Sequence, residues 1–355
     1  MPSRMQSLRK KIDLIDSQLL KLLNERAGCT QEIGAIKNRA GKRAYVPERE
    51  SEVYRRLLEM NKGPLNKKAI IAIYREIMSA SIALEQPMTV AYLGPEWSFT
   101  HLASLKKFGD AVEYRECQTI GEVFVEVEKG RSHHGVVPIE NSTEGAVNHS
   151  YDLFMESDLQ ICSELFMDIR HNLMSTGALS SIKKIYSKAE VFGQCRAWLE
   201  AHAPHVELVP VSSTSLGAEM ASREKGTGAI ASDLAARHYK LKIVARSIED
   251  LNDNVTRFLV IGTESASRTR RAKTSLMFSV KDKIGALQEM LAPFKRNGLN
   301  LVKIESRPSR RRAWEYYFFV DLVGHQADPK VKKAIDELQK YCTYLKVLGS
   351  YPTAP

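Results

Sequence analysis

Three textures of polar and apolar residues follow one another along the chain. Up to residue 87 glycine and proline are sparse, and apolar residues return at Leu8, Ile12, Ile15, Leu19, Leu22, Cys29, Ile33 and Ile36, the stripe of a long amphipathic helix. From 88 to 265 short apolar runs alternate with helical stretches, as strands and helices of an α/β unit would. From 272 the segments TSLMFSV, GALQEMLAPFKRNG, LNLVKIES, EYYFFVDLVG, DPKVKKAIDELQKYC and YLKVLGS read strand, helix, strand, strand, helix, strand. We therefore expect three domains, 1–87, 88–265 and 272–355, parted by EQPM at 85 to 88 and by a Ser/Thr/Arg-rich segment at 263 to 273.

The first domain breaks its own pattern in informative places. Position 26 of the apolar stripe is arginine, and a buried cation costs several kcal/mol unless an anion meets it. Lys37 follows three turns later on the same face, about 16 Å away, within reach of one small molecule gripped by both side chains. Arg9 is about 25 Å from Arg26 and must serve another site, which an intertwined dimer would provide. The last helix runs Ile70, Ile73, Ile77 and then Ser81 and Glu85, polar where apolar is due, and PERE at 47 to 50 adds Arg49 and Glu50 beside a helix-starting proline. These seven residues predict a cationic, apolar-walled pocket for a dianion, without a nucleophile and base.

In the middle domain the run VVPIENSTEG, 136 to 145, stops at a strand end and delivers Glu140, Asn141, Ser142 and Thr143 to the start of a helix. Ligands bind at such strand ends in open α/β sheets, although an N-capped helix would look the same. AYLGPEWSFT (91 to 100), RHNL (170 to 173), YSKAEVFGQC (186 to 195), VSSTS (211 to 215) and NVTRF (254 to 258) occupy equivalent places.

Composition narrows the partners. The 355 residues are 43% hydrophobic and 26% charged, with net charge +10. The basic stretches SRTRRAK (267 to 273) and RRR (310 to 312) lack interleaved aromatic residues, so solvated loops are expected rather than a nucleic-acid site. No apolar run approaches the roughly 18 residues of a membrane span, and the charged start has no signal-peptide core, which predicts a cytoplasmic protein. Cysteines 29, 117, 162, 195 and 342 show no CxxC spacing, so reduced thiols and no metal or other cofactor are expected.

The stretches LRKKIDLIDSQLLKLLNER, IGAIK, PERE and IMSASIALE resemble the all-helical chorismate mutases. GVVPIENSTEGAV and TRF resemble the prephenate dehydratases, whose two lobes have the type II periplasmic-binding-protein fold. IGALQ and IESRP resemble ferredoxin-like ACT domains, which bind amino acids between paired copies. Together they imply a multidomain enzyme of phenylalanine biosynthesis, a homodimer or larger homo-oligomer, making prephenate from chorismate and phenylpyruvate from prephenate, with feedback by L-phenylalanine. The alternatives are a non-catalytic phenylalanine sensor, or an active mutase whose dehydratase is silent or specific for arogenate.

Carried over, the resemblance implies that Arg9 of a partner chain, Arg26 and Arg49 hold the carboxylates of chorismate, that Glu50 and Ser81 fix its hydroxyl and a carboxylate, and that Lys37 and Glu85 face the breaking ether oxygen. Glu85 could stabilise negative charge there only as a protonated donor. For dehydration it implies Thr256 at the leaving hydroxyl, and Glu140 and His171 are read as its proton source. Ser98, Asn141, Ser142, Thr143, Ser187, Gln194, Ser213, Thr214 and Arg257 would hold carboxylates and carbonyl, while Phe258 packs. The effector would meet Gly285, Ala286, Leu287, Asn300, Glu305, Ser306 and Arg307, and deleting 274 to 355 would leave an insensitive dehydratase. The chain departs from these families at Val46, at Trp97-Ser98, at Lys188-Ala189 and at Gln288.

Overall fold

The computed structural model describes residues 3–40, 45–251, 253–269, 271–280, 283–308 and 316–354; the RRR run at 310 to 312 lies outside them. The chain separates into two compact units: residues 1–88 with 108–113, and residues 89–107 with 114–355. The second and third expected domains thus form one body.

The first unit is three helices, α1 (Arg4–Arg39), α2 (Pro47–Met60) and α3 (Lys67–Glu85). Ser3 and Gln6 close a capping box at the start of α1, and Asn66 caps α3 through the Ala69 amide. Val46 caps α2 with no side-chain bond, and Pro47 sets the first turn instead. The helices α1 and α3 approach closely at Gly34, where a Cβ would stand 3.0 Å from Glu85 Cγ. Of α1 only Thr30 and Gly34 are buried, and Leu8, Ile12, Leu19 and Leu22 of its apolar stripe are at least half exposed at 50–60%.

In the second unit, β1 (Thr89–Leu93), β2 (Glu113–Cys117), β3 (His134–Asn141), β5 (Gln160–Asp168) and β11 (Val255–Gly262) form one sheet in the order β2-β1-β3-β11-β5, with the short β4 (Gly145–Ala146) on β3. Helices α4 (Phe99–Phe108), α5 (Ile120–Glu128) and α6 (Asn148–Phe154) accompany it. The VVPI run is apolar throughout because β3 is central, paired with β1 on one side and β11 on the other.

The chain then crosses to a second sheet, ordered β10-β6-β9-β7-β8, built from β6 (Asn172–Ser175), β7 (Lys184–Ser187), β8 (Glu207–Pro210), β9 (Thr227–Ala231) and β10 (Lys242–Ala245). Helices α7 (Ala189–Gln194), α8 (Arg196–His202), α9 (Thr214–Arg223) and α10 (Asp233–His238) pack around it. The two crossing segments are bonded to each other, Ile169 N to Asn254 O at 2.8 Å and Ile248 N to His171 O at 2.9 Å. This is the two-lobed arrangement expected.

The C-terminal part is β12 (Ala272–Val280), α11 (Ala286–Arg296), β13 (Leu301–Pro308), β14 (Tyr316–Val323), α12 (Pro329–Gln339) and β15 (Cys342–Pro352), with sheet order β13-β14-β12-β15. Because side chains alternate along a strand, its two faces differ. Leu276, Phe278, Val320 and Leu322 pack with Met290, Phe294, Val331 and Leu338 of its own helices. Met277, Tyr317, Phe319, Leu348 and Tyr351 instead share a core with Val137, Ile139, Ile161 and Leu259 of the first lobe. Gly349, at φ +152°, permits this contact, since a Cβ there would lie 2.3 Å from Ile161 O. That shared core is why the third domain is not a separate unit.

Among the described residues no helix is long and apolar enough to cross a membrane, and no cluster of three or more His, Cys, Asp or Glu could hold a metal ion.

Candidate active sites

In the helical unit, α1 and α3 bring four of the seven expected residues together. Arg26 Nη1 donates to Ser81 Oγ at 2.5 Å, and Ser81 in turn donates to Ile77 O at 2.8 Å. Lys37 Nζ donates to Glu85 Oε2 at 2.8 Å, with both side chains largely covered. Polar residues on an apolar seam therefore find each other, as buried charge requires. Glu85 is thus ion-paired through one oxygen. On α2, Arg49 is exposed and paired with Glu52 at 2.6 Å, while Glu50 accepts from Tyr45 Oη at 3.1 Å. Arg9 is exposed near the start of α1, roughly 25 Å along that helix from Arg26.

In the two-lobed unit the polar residues close into a ring. Asn141 Oδ1 accepts from the amides of Thr143 and Glu144, both at 2.9 Å, which fixes its Nδ2 outward. That Nδ2 donates to Thr256 Oγ1 at 2.8 Å and to Asn254 Oδ1 at 2.7 Å. Asn254 Nδ2 donates to Gln194 Oε1 at 3.2 Å, and Gln194 Nε2 donates to Glu144 Oε1 at 2.8 Å. Each amide is oriented by the next, so the direction of every bond is determined. Since Thr256 Oγ1 accepts from Asn141, its own proton is left to donate elsewhere. The ring joins β3 and β11 of the first lobe to α7 of the second.

His171 meets this ring at Gln194 Oε1, 2.7 Å from its Nε2. Because that oxygen accepts, the ring proton sits on Nε2. Burial lowers the His171 pKa against the opposing pull of Gln194, keeping the imidazole neutral. A neutral histidine linked to Thr256 only through carboxamides is not a proton source, because amides hold protons in place rather than pass them on. Glu140 fails for a different reason. It precedes Asn141 on β3 and so faces the other side of the sheet, where its carboxylate meets Lys303 Nζ at 2.7 Å. Arg257 is likewise turned away from Thr256 and bonded to Glu164, so it does not hold a carboxylate in the cleft.

Three of the six expected hydroxyl ligands donate to backbone carbonyls. Ser142 Oγ donates to Asp253 O at 2.7 Å and accepts from the Val255 amide, Ser187 Oγ donates to Ile230 O and is fully buried, and Ser98 Oγ donates to Leu93 O. Ser213 caps α9 through the Leu216 amide, and Thr214 is buried on that helix. Thr143 stays exposed, and Phe258 packs in the core as expected. The residues the sequence reading missed are Asn254 and Glu144. Asn254 lies two positions before Thr256, the spacing of one strand face, and Glu144 lies inside the ENSTEG run, so both signals were present.

Two departures from the resemblance fall at defined places. Trp97 has φ +68°, a conformation natural to glycine, and its indole stacks on His238 of the second lobe at 4.3 Å. Ser215 and Ser232 fasten the same loop by bonding Glu96 O and Trp97 O. Lys188 precedes α7 on the surface, 3.6 Å from Glu190.

In the C-terminal sheet, Gly285 opens α11 in a left-handed turn at φ +82°, with Ala286 next, and Ile284 and Leu287 beside it are exposed. Asn300 O accepts from the Val323 amide. On the edge strand β13, Val302, Ile304 and Ser306 are exposed, whereas Arg307 faces the first lobe and donates to Asp152 Oδ1 at 3.3 Å, and Glu305 is half-buried. Strand alternation thus divides the expected effector residues, leaving Ser306 exposed and Arg307 engaged inward.

Comparison with known proteins matches three families in chain order: chorismate mutase type II at residues 8–86, prephenate dehydratase at 90–266 and the ACT domain at 274–339. The bifunctional chorismate mutase/prephenate dehydratase of Aquifex aeolicus is 47% identical over 99% of this chain and 98% of its own length. The protein of that name from Escherichia coli K12 is 30% identical over 98% of this chain and 96% of its own. Among solved structures, a prephenate dehydratase from Arthrobacter aurescens in complex with L-Phe is similar at a TM-score of 0.69 and 32% identity, over 75% of this chain and 90% of that one.

Proposed function

We propose a role for each site from the premise that this chain belongs to the bifunctional chorismate mutase/prephenate dehydratase family. It is an enzyme of phenylalanine biosynthesis with two activities, rearranging chorismate to prephenate and converting prephenate to phenylpyruvate, water and carbon dioxide, under feedback by L-phenylalanine. The sensor alternative gives way to this, since the relatives that span the whole chain are enzymes.

The observation that carries the dehydratase reading is the Asn141 to Thr256 bond. Prephenate loses its ring hydroxyl and a carboxylate together, and aromatisation drives the loss. Thr256, with its acceptor side filled by Asn141, donates its hydrogen bond to the leaving hydroxyl, and solvent supplies the proton that makes it water. Asn254, Gln194, Glu144 and His171 orient that donor rather than act as acids. This is transition-state stabilisation by a preorganised donor.

In the mutase pocket, Arg26 with Ser81 and Lys37 with Glu85 would hold chorismate in its compact conformer, joined by Arg49, Glu50 and the partner subunit's Arg9. We propose a homodimer in which a second copy covers the exposed stripe of α1, with effector bound between paired ACT domains near Gly285 and Ser306, in the cytoplasm. Domain boundaries near residue 88 and at 266 to 272 fit this reading.

Glu85 provides the test. Its Oε2 accepts from Lys37, so Oε1 is the oxygen through which a protonated carboxyl would donate to the ether. Glu85→Gln, which carries an N–H donor in that position, should keep mutase turnover within about tenfold of wild type, whereas Glu85→Ala, which has no donor, should lose about 10²–10³-fold, with prephenate dehydration unchanged in both. A loss in Glu85→Gln as large as in Glu85→Ala would instead reduce Glu85 to an anchor for Lys37.

A further inference from the structure

The two strands that carry Asn141 and Thr256 are gripped from behind by the ACT sheet. Arg257, directly after Thr256, is 6% exposed, and its guanidinium is fully engaged. Nε donates to Glu164 Oε2 at 2.9 Å, Nη1 meets Asp321 Oδ2 at 2.6 Å, and Nη2 donates to Tyr351 Oη at 3.0 Å. Asp321 and Tyr351 belong to the ACT sheet and are tied together by Ser275, 2.5 Å from Asp321 Oδ1 and 2.6 Å from Tyr351 Oη. Lys273 reaches Glu164 Oε2 at 2.8 Å. Glu140, directly before Asn141, is held by Lys303 at 2.7 Å, and β11 pairs with β3 so that Arg257 faces Glu140 and Thr256 faces Asn141.

Each member of the donor pair thus has a neighbour in sequence held by an ACT side chain. Adjacent residues on a strand point to opposite faces but share a rigid peptide, with Cα atoms about 3.8 Å apart, so Arg257 cannot shift without carrying Thr256. The set is balanced, with Arg257, Lys273 and Lys303 against Glu140, Glu164 and Asp321, so neutralising one member leaves an unmatched charge in a covered joint.

On the dehydratase reading above, we infer that Asp321 and Lys303 are positioning residues for dehydration: they fix the placement of Thr256 and Asn141 across the sheet, and movement of the ACT sheet on effector binding reaches the leaving-group donor through them. The charge cluster is then part of the dehydratase machinery as well as an adhesive.

Asp321→Asn and Asp321→Glu in the full chain, assayed below their melting temperatures, test this. Asn should lower kcat for prephenate by about tenfold or more with KM and chorismate mutase turnover within about twofold of wild type, and Glu should recover most of the loss. A purely adhesive role predicts lower melting with unchanged kcat, and that result, or a loss that Glu does not relieve, would overturn the inference. Hydrogen exchange in the wild type is the second arm and needs no variant. L-phenylalanine should change protection of the amides of β3 and β11 around Asn141 and Thr256, and unaltered protection with effector bound counts against the coupling. Calorimetry separates the premises: absence of L-phenylalanine binding to wild type removes the effector reading, while the kcat of Asp321→Asn still decides the positioning role.

Discussion

Thr256→Val abolishes phenylpyruvate formation, by about 10²–10³-fold, and leaves chorismate consumption intact. Valine matches threonine in shape but has no proton to give, so the hydrogen bond to the departing hydroxyl is lost while the β11 backbone is kept. Asn141 Nδ2 loses one of its two acceptors and retains Asn254, so the cost in stability is about 1–3 kcal/mol and the fold survives. The part of the chain that matches chorismate mutase, residues 8–86, lies in the other compact unit, so mutase turnover is an internal control. Dehydration within a few fold of wild type would remove Thr256 from the chemistry.

Deleting residues 274 to 355 destroys the dehydratase rather than deregulating it. The expectation of an active, insensitive fragment assumed an appended domain, but Tyr317, Phe319, Leu348 and Tyr351 are part of the first lobe's core. Their removal bares that core and strips Arg257 of Asp321 and Tyr351, and Glu140 of Lys303. Uncovering one buried charge costs about 3–5 kcal/mol, a large share of the roughly 5–15 kcal/mol that holds a domain folded. The truncated chain should show mutase activity with no measurable phenylpyruvate and no cooperative dehydratase unfolding by calorimetry. A folded truncated protein that dehydrates prephenate at wild-type rate would show that the shared core is dispensable.

The sequence carried the architecture because its periods are unambiguous: the stripe of α1, the strand and helix alternation, and the βαββαβ order of the C-terminal part. It carried the pairing of Arg26 with Ser81 and of Lys37 with Glu85 for the same reason, since these four residues interrupt an apolar seam. In the dehydratase it misdirected on matters of facing. Glu140 and Asn141, or Thr256 and Arg257, are adjacent in the chain and equally polar, and only the placement of the ACT sheet decides which member of each pair sees the cleft. Hydroxyls were harder to read because serine serves a turn or cap as readily as a ligand, as the bonds that Ser98, Ser142 and Ser187 donate to backbone carbonyls show. Asn254 and Glu144 were within reach, one by strand period and the other by lying in the same turn as Asn141. The balanced charge joint had no local signal, because its six members come from six strands.

That one chain performs both steps is tested most directly by supplying the purified full-length protein with chorismate and following products over time, with arogenate offered in a parallel reaction. Prephenate should appear first and give way to phenylpyruvate, with L-phenylalanine slowing the second phase and arogenate converted far more slowly than prephenate. Prephenate accumulating without phenylpyruvate, or arogenate consumed in preference, would contradict the assignment of the Thr256 site.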